Sequence, residues 1–302
     1  MSNWLLVVYR DWLVHIVHRL KLELLKQRYL HIDETHVQVL KEPGRKNTSD
    51  SYMWVYCSIR DAVNPIRYFE YQPGRSGKYP EAFLREYEGY IHTDAYSGYN
   101  AVSGVKRCLC YTHLRRAFVD ALPKDIHNSE ASKPAEAILR LNQFFNIESE
   151  LEALPPDQKK KERLIREKPL LEAFWSWAEK SAIGELPKSK LSKAFHYALN
   201  NREGFWNYLE DGNCSISNSL AENCIRPFVI GRKNWLFSGS PKGAEASAGI
   251  YTLVETAKAN GLAPMKYIKY ILSDMPGSAF LEHPEYLDDY LPWNPLVKEF
   301  CR

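Results

Sequence analysis

The chain has 302 residues, enough for one large domain or for a core that carries an inserted one. A hydrophobic fraction of 45% beside 25% charged residues is that of an ordinary globular protein and excludes disorder along the whole chain. The net charge of +3, with a pI near 8.4, permits nucleic-acid binding without arguing for it, so the placement of the basic residues matters more than their sum.

Six cysteines (Cys57, Cys108, Cys110, Cys214, Cys224 and Cys301) are scattered without a dense framework, which points to free thiols in a reducing compartment. Cys110 and His113 form a C-x-x-H half-site, but a structural zinc site needs a second pair and none stands out. The apolar run at 4–8 is too short for a signal-peptide core and is interrupted by Arg10 and Asp11. No stretch approaches the roughly 20 apolar residues that span a bilayer, so a soluble, cytoplasmic protein is expected.

In chain order, Trp12, Leu13, Ile16, Val17, Leu20 and Leu24 recur at three- and four-residue spacing and predict a helix over 11–28. Residues 29–40, rich in β-branched and aromatic side chains, read as a strand, and 42–51 as a loop. Two more strands, 53–59 and 66–71, flank a turn at 61–65 and suggest an antiparallel meander. A loop at 73–77 precedes a short helix at 80–87, a brief strand at 90–92, another at 105–111 and a basic helix at 112–122. Residues 123–213 change character. They carry Ala/Glu/Leu/Lys-rich helical stretches, Pro155-Pro156, and their own apolar material in Trp175, Trp177, Phe195, Phe205 and Trp206. They read as an all-helical insertion in which Lys159, Lys160 and Lys161 form a solvated face. A helix then starts near Ser217 or Asn218 and is limited or kinked at Pro227. A second begins at Ser240-Pro241 and stops at Gly261. The tail from 282 onwards holds three prolines and reads as a poorly regular arm.

Three acids stand out by context. Asp33 lies in a strand, Asp94 follows a short strand, and Glu222 sits in the first turns of a helix. A carboxylate in or just after a strand often lies beside the core, where a charge is costly unless paired or bound to metal. Hard oxygen ligands suit Mg²⁺ or Mn²⁺, and two such ions about 4 Å apart activate a water or 3′-hydroxyl and stabilise a leaving oxygen. The plainer alternatives are a strand-end turn former, a loop cap and a residue favoured by the helix dipole. Glu34 points to the opposite side of the strand from Asp33.

The run NSLAENCIRPFVIGRKNWLFSGSPKGAEASAGIYTLVETAKANG at 218–261 closely resembles the catalytic signature of the insertion-sequence-66 family of bacterial DDE transposases. HIDET at 31–35, YIHTDAYSGYNAV at 90–102, CYTHLRRAF at 110–118 and LPWN at 291–294 agree with it, in the right order, over nearly the whole chain. The resemblance implies an α/β fold: a ribonuclease-H-like mixed sheet flanked by helices, with the helical insertion before the last catalytic residue. The expected parts are a helical lead-in at 1–28, core at 29–122 and 214–275, the insertion at 123–213 and a C-terminal arm at 276–302. It implies that Asp33, Asp94 and Glu222 are the catalytic triad and hold two Mg²⁺ or Mn²⁺ ions for cleavage and strand transfer. Double-stranded DNA, both element ends and target, is the implied partner. A homo-oligomer on DNA, accessory element-encoded proteins and association with the bacterial nucleoid are expected by analogy.

Candidate DNA contacts are Arg226, Arg232, Lys233, Asn234 and Trp235 beyond Glu222, Arg115 and Arg116 after Cys110, and Arg75 in the 73–77 loop. Basic residues interleaved with an aromatic grip phosphates and stack on an unpaired base; a surface basic cluster with Trp235 in the core is the alternative. His113 reads equally as a neighbour of the metal site or as a structural histidine. Full-length members carry an N-terminal DNA-recognition region, whereas here Asp33 comes about thirty residues from the start. The chain is therefore expected to be a truncated member or a fragment of a split frame. The competing reading is a non-catalytic relic or DNA-binding regulator that keeps the fold.

Overall fold

In a computed structural model that describes residues 3–123 and 132–302, the chain is α/β and divides into two units. The first comprises the chain up to Gly89, Ser97–Gly104 and Leu220–Arg302. Its sheet is built on β1 (Tyr29–Val39), which pairs antiparallel with β2 (Asp50–Ser58), itself antiparallel to β3 (Arg67–Gln72). A two-residue strand β6 (Phe237–Ser238) runs parallel to the end of β1, so the sheet is mixed.

Alternation along β1 sends His31, Asp33, Thr35, Val37 and Val39 to one face. Val37 and Val39 pack there with Met53, Val55, Cys57, Phe69 and Tyr71 beneath Ala221, Ile225 and Phe228 of a helix and Ala244 and Ala248 of another. On the N-terminal side, α1 (Asn3–Val8) and α2 (Val14–Leu25) are joined by a π-helical turn, Tyr9–Leu13. The predicted lead-in helix thus exists, starts earlier and carries one widened, underwound turn; Ile16, Val17, Leu20 and Leu24 are its buried stripe.

The covering helices are α9 (Ser219–Trp235) and α10 (Pro241–Ala259), with α3 (Lys78–Phe83) earlier in the chain. Pro227 does not end α9, which continues for two more turns; the proline forgoes its own N–H bond while the apolar stripe keeps the helix on the sheet. The Ser240 side chain caps α10 by accepting the Gly243 N–H at 3.2 Å. Gly261, at φ 73°, ends the turn after it. Edge strand β3 is tied down from outside the sheet: the hydroxyls of Thr252 and Thr256 on α10 accept the backbone N–H groups of Phe69 (2.8 Å) and Arg67 (3.1 Å).

The tail is not the irregular arm expected from its prolines. After α11 (Pro264–Asp274), a 3₁₀ helix spans Pro284–Tyr290 and α12 spans Pro295–Cys301. Pro284 and Pro295 stand at helix starts, where a missing N–H costs nothing. Arg19 of α2 holds Asp288 with two bonds (2.5 and 3.0 Å), and the Tyr267 hydroxyl donates to the Tyr290 carbonyl at 2.8 Å.

The second unit comprises Tyr90–Tyr96 and Val105–Ser219. Strand β4 (Gly89–Thr93) leads into it, with β5 (Val105–Leu109) as its hydrogen-bonded neighbour. α4 (Tyr111–Val119) follows, then α5 (Lys133–Glu150), α6 (Pro156–Ala182), α7 (Lys190–Asn200) and α8 (Arg202–Trp206). The part of the expected insertion at 124–131 lies outside the described residues. Rings hold this unit together. Tyr111 meets Phe144, Phe205 and Tyr208, with centroids 5.3–5.5 Å apart, and Phe118 packs edge-on against Phe174 and Phe195.

Lys160 and Lys161 are exposed, as a solvated face requires, but the same helix buries Arg163 and Glu167 at the head of its apolar stripe. Burial first, and then neighbouring Glu148, push the Glu167 carboxyl from 4.5 up to about 7, against the pull of the Tyr208 hydroxyl and Arg163. An acid whose folded-state pKa is raised contributes stability that is whole below its unfolded pKa and is lost as pH rises through the folded one. Glu167→Gln should therefore gain on the parent as pH rises, by about 2–3 kcal/mol between roughly pH 4.5 and pH 8 in denaturant titrations. A difference between variant and parent that does not change with pH would show that Glu167 titrates normally.

Candidate active site

Asp33 sits at the middle of β1, opposite Val55 of β2, on the face that α9 covers. Its Oδ1 accepts the backbone N–H of Glu34 at 2.9 Å, which fixes the carboxylate against its own strand. Glu34 turns to the other face, as alternation requires. There it accepts from Arg75 Nε at 2.6 Å and from the Tyr99 hydroxyl at 2.5 Å.

Glu222 lies in the first turn of α9. Ala221, Ile225 and Phe228 are the stripe pressed onto the sheet, and the helical period sets Glu222 at its flank, half-buried. The thiol of Cys224, two residues further along the same helix, hydrogen-bonds with that of Cys57 of β2. Burial, the Cys224 thiol and the nearby Asp33 charge all push the Cys57 thiol up. Because Cys57 pairs in register with His31, the start of α9 lies over the stretch of β1 that presents Asp33.

Asp94 belongs to the second unit, in the turn after β4. Its Oδ1 accepts the Tyr96 N–H at 2.9 Å, an Asx turn that orients the carboxylate. Arg107 of β5 braces that turn, donating from Nε to Thr93 Oγ1 (2.7 Å) and from Nη2 to the carbonyls of Asp94 (2.6 Å) and Tyr96 (2.8 Å). Burial and the Asp94 charge push the Tyr197 hydroxyl of α7 up, so that ring is a neighbour too. Neither Arg107 nor Tyr197 was readable as a site residue, since neither stands beside an acid in the sequence.

Cys110 accepts the Asn218 N–H at 3.1 Å. Burial alone would raise its thiol, but the His113 side chain and that N–H outweigh it and bring the thiol below its ordinary value. Among the candidate DNA contacts, Arg226, Lys233, Asn234 and Arg116 are exposed. Arg232 instead donates to Thr35 Oγ1 (3.1 Å) and the His36 carbonyl, tying α9 to β1, and Arg115 donates to Asn142 Oδ1 at 2.7 Å. Trp235 packs against the core, edge-on to Phe228 at 5.3 Å. Arg232 and Lys233 also line an open groove of about 530 Å³ with His36, Gln38, Thr48 and Asp50. All six cysteines carry free thiols, and no helix among the described residues is long and apolar enough to cross a membrane.

Residues 1–246 match the family model described as "Transposase IS66 family", and residues 252–293 match "IS66 C-terminal element". Three proteins of Sinorhizobium fredii are similar. "Uncharacterized protein y4hP" is 27% identical over 284 residues, 87% of this chain and 50% of that protein. "Uncharacterized protein y4qI" is 28% identical over 279 residues, with the same coverage of each. "Uncharacterized protein y4jD" is 25% identical over 297 residues, 94% of this chain and 57% of that protein. The chain spans about half the length of the curated relatives it matches. No solved structure matches. With more than half of its length under one family model, the chain belongs to the IS66 transposase family.

Proposed function

We propose that the chain is the catalytic part of a DNA transposase, with a ribonuclease-H-like core interrupted by the helices that precede Glu222. In this reading Asp33, Asp94 and Glu222 hold two Mg²⁺ or Mn²⁺ ions. The observation that carries it is the placement of Asp33 and Glu222 on one side of the same sheet, with α9 anchored over β1. The donor set fits the ions: three carboxylates are hard, anionic oxygen ligands of the type such ions select. When bound, the ions supply activation of a water or 3′-hydroxyl and neutralise charge at the phosphorus.

The chain's own residues do the rest. The Glu34 and Tyr96 amides orient the two aspartates, and Arg107 keeps the Asp94 turn from collapsing. Arg226, Lys233, Asn234 and Arg116 present exposed donors for phosphates of the element ends and target. Arg75, Arg115, Arg232 and Trp235 are engaged in the contacts already described. Pairing of two element ends calls for a homo-oligomer on DNA, and accessory element-encoded proteins are expected beside it by analogy.

Iron mapping tests the ligand set. With Fe²⁺ in place of Mg²⁺, peroxide and ascorbate should cut the backbone near residues 33, 94 and 222, and excess Mg²⁺ should suppress those cuts. Cuts confined to other segments, or indifferent to Mg²⁺, would remove the triad from the reading.

A further inference from the structure

A second cluster of ligating side chains lies in the second unit, on different residues from the carboxylates. His92 of β4, Cys108 of β5 and Cys214 of the segment before α9 bring their ligand atoms within 4.8 Å of one another. All three are buried, at 1%, 1% and 2% exposure. We propose that they form a thiolate–imidazole site for a soft or borderline divalent cation, Zn²⁺ in the cell.

The donor chemistry selects the ion. Two sulfurs and one imidazole match Zn²⁺ and disfavour Mg²⁺, which demands oxygen. The nitrogen is in the required form: the Ser215 N–H donates to His92 Nε2 at 2.9 Å, so that atom carries a lone pair rather than a proton. An ion at Nε2 replaces this hydrogen bond. Two buried thiols alone would be ordinary core packing. The imidazole gathered with both sulfurs supplies the third donor of a type that borderline divalent ions take.

The three segments are held in place by other means, so little reorganisation stands between this cluster and an occupied site. The Cys110 N–H donates to the Thr93 carbonyl at 3.1 Å, locking β5 to β4 one residue beyond His92. The Tyr111 N–H donates to the Ile216 carbonyl at 2.8 Å, and Arg163 Nη2 donates to the Cys214 carbonyl itself at 2.8 Å. Binding is charge-balanced: Zn²⁺ displaces one proton from each thiol, the two protons leave to solvent, and a neutral bis-thiolate complex forms with the imidazole as third ligand. One small ligand completes the tetrahedron. Since His92 stands two residues before Asp94, the ion would stiffen the strand that presents it. That consequence, unlike the site itself, rests on the catalytic reading above.

The test uses the full chain, reduced and stripped of metal. One equivalent of Co²⁺ should release two protons and produce sulfur-to-cobalt charge-transfer absorption, which Zn²⁺ should abolish by displacing the cobalt without further proton release. The band should vanish in Cys108→Ser and Cys214→Ser proteins that retain their far-ultraviolet dichroism. It should survive in Cys110→Ser and in Glu222→Gln, which separates this site from the carboxylates and from Cys110. If the Cys108 and Cys214 variants fail to fold, alkylation of the unaltered chain decides: Zn²⁺ should slow modification of Cys108 and Cys214 about tenfold or more while leaving Cys224 unchanged. Absence of the band, its survival in the folded Cys108 and Cys214 variants, or alkylation rates indifferent to Zn²⁺ would each overturn the proposal.

Discussion

Glu222→Gln is expected to lower Mg²⁺-dependent cleavage of DNA bearing the element's ends by on the order of 10³-fold or more, because a neutral amide cannot replace an anionic ligand to a divalent cation. The change is nearly isosteric. Glu222 flanks the stripe of Ala221, Ile225 and Phe228 rather than belonging to it, so α9 should keep its seat on the sheet. DNA affinity should stay within about twofold of the parent, since the phosphate contacts assigned to Arg226 and Lys233 are untouched. Single-turnover cleavage, with binding measured on the same protein at the same salt, separates the chemical step from recognition. Full cleavage by the variant would take Glu222 out of the ligand set. Lost binding together with lost cleavage would mean that its role is structural.

How much of this was legible in the sequence depended on whether local pattern and burial agreed. Along β1–β3 the alternating residues meet an ordered register, so the meander and its two faces were readable. The ends of α10 were readable because Ser240, Pro241 and Gly261 act on the nearest backbone groups. The three acids were readable for a different reason: they sit in runs that resemble a family, and spacing alone left each with an ordinary alternative. Legibility failed where a side chain's partner is remote in the chain. Pro284 and Pro295 looked like breakers, but each starts a helix whose buried residues pack elsewhere. For Trp235, beside Arg232 and Lys233, the sequence left stacking on a base and packing in the core equally open; its ring lies edge-on to Phe228 against the core. The gathering of His92, Cys108 and Cys214 leaves no local trace at all, because three separate segments supply one ligand each.

Arg163 is the sharpest case of that failure, and its removal should be the most destabilising single change in the second unit. In a helix rich in lysine and glutamate it looks solvent-facing, yet its side chain is 1% exposed. A guanidinium has five N–H donors, and here each finds an acceptor. Nε and Nη2 grip both oxygens of Glu148 at 2.6 Å, Nη1 reaches the carbonyls of Tyr208 and Asp211 at 3.1 Å, and Nη2 reaches that of Cys214 at 2.8 Å. Arg163→Ala would leave Glu148 without its bidentate partner and three carbonyls without their donors. Breaking a buried pair from one side costs about 3–5 kcal/mol, and the loss should appear in denaturant titrations of the whole chain. Arg163→Lys should recover less than half of it, since a compact ammonium cannot serve a carboxylate and three divergent carbonyls together. Hydrogen exchange should be fastest in both variants over residues 208–214, where the lost carbonyl bonds lie, and this regional signature distinguishes loss of the network from a simple cavity. A cost below about 1 kcal/mol for Arg163→Ala would place the side chain in water and contradict the network.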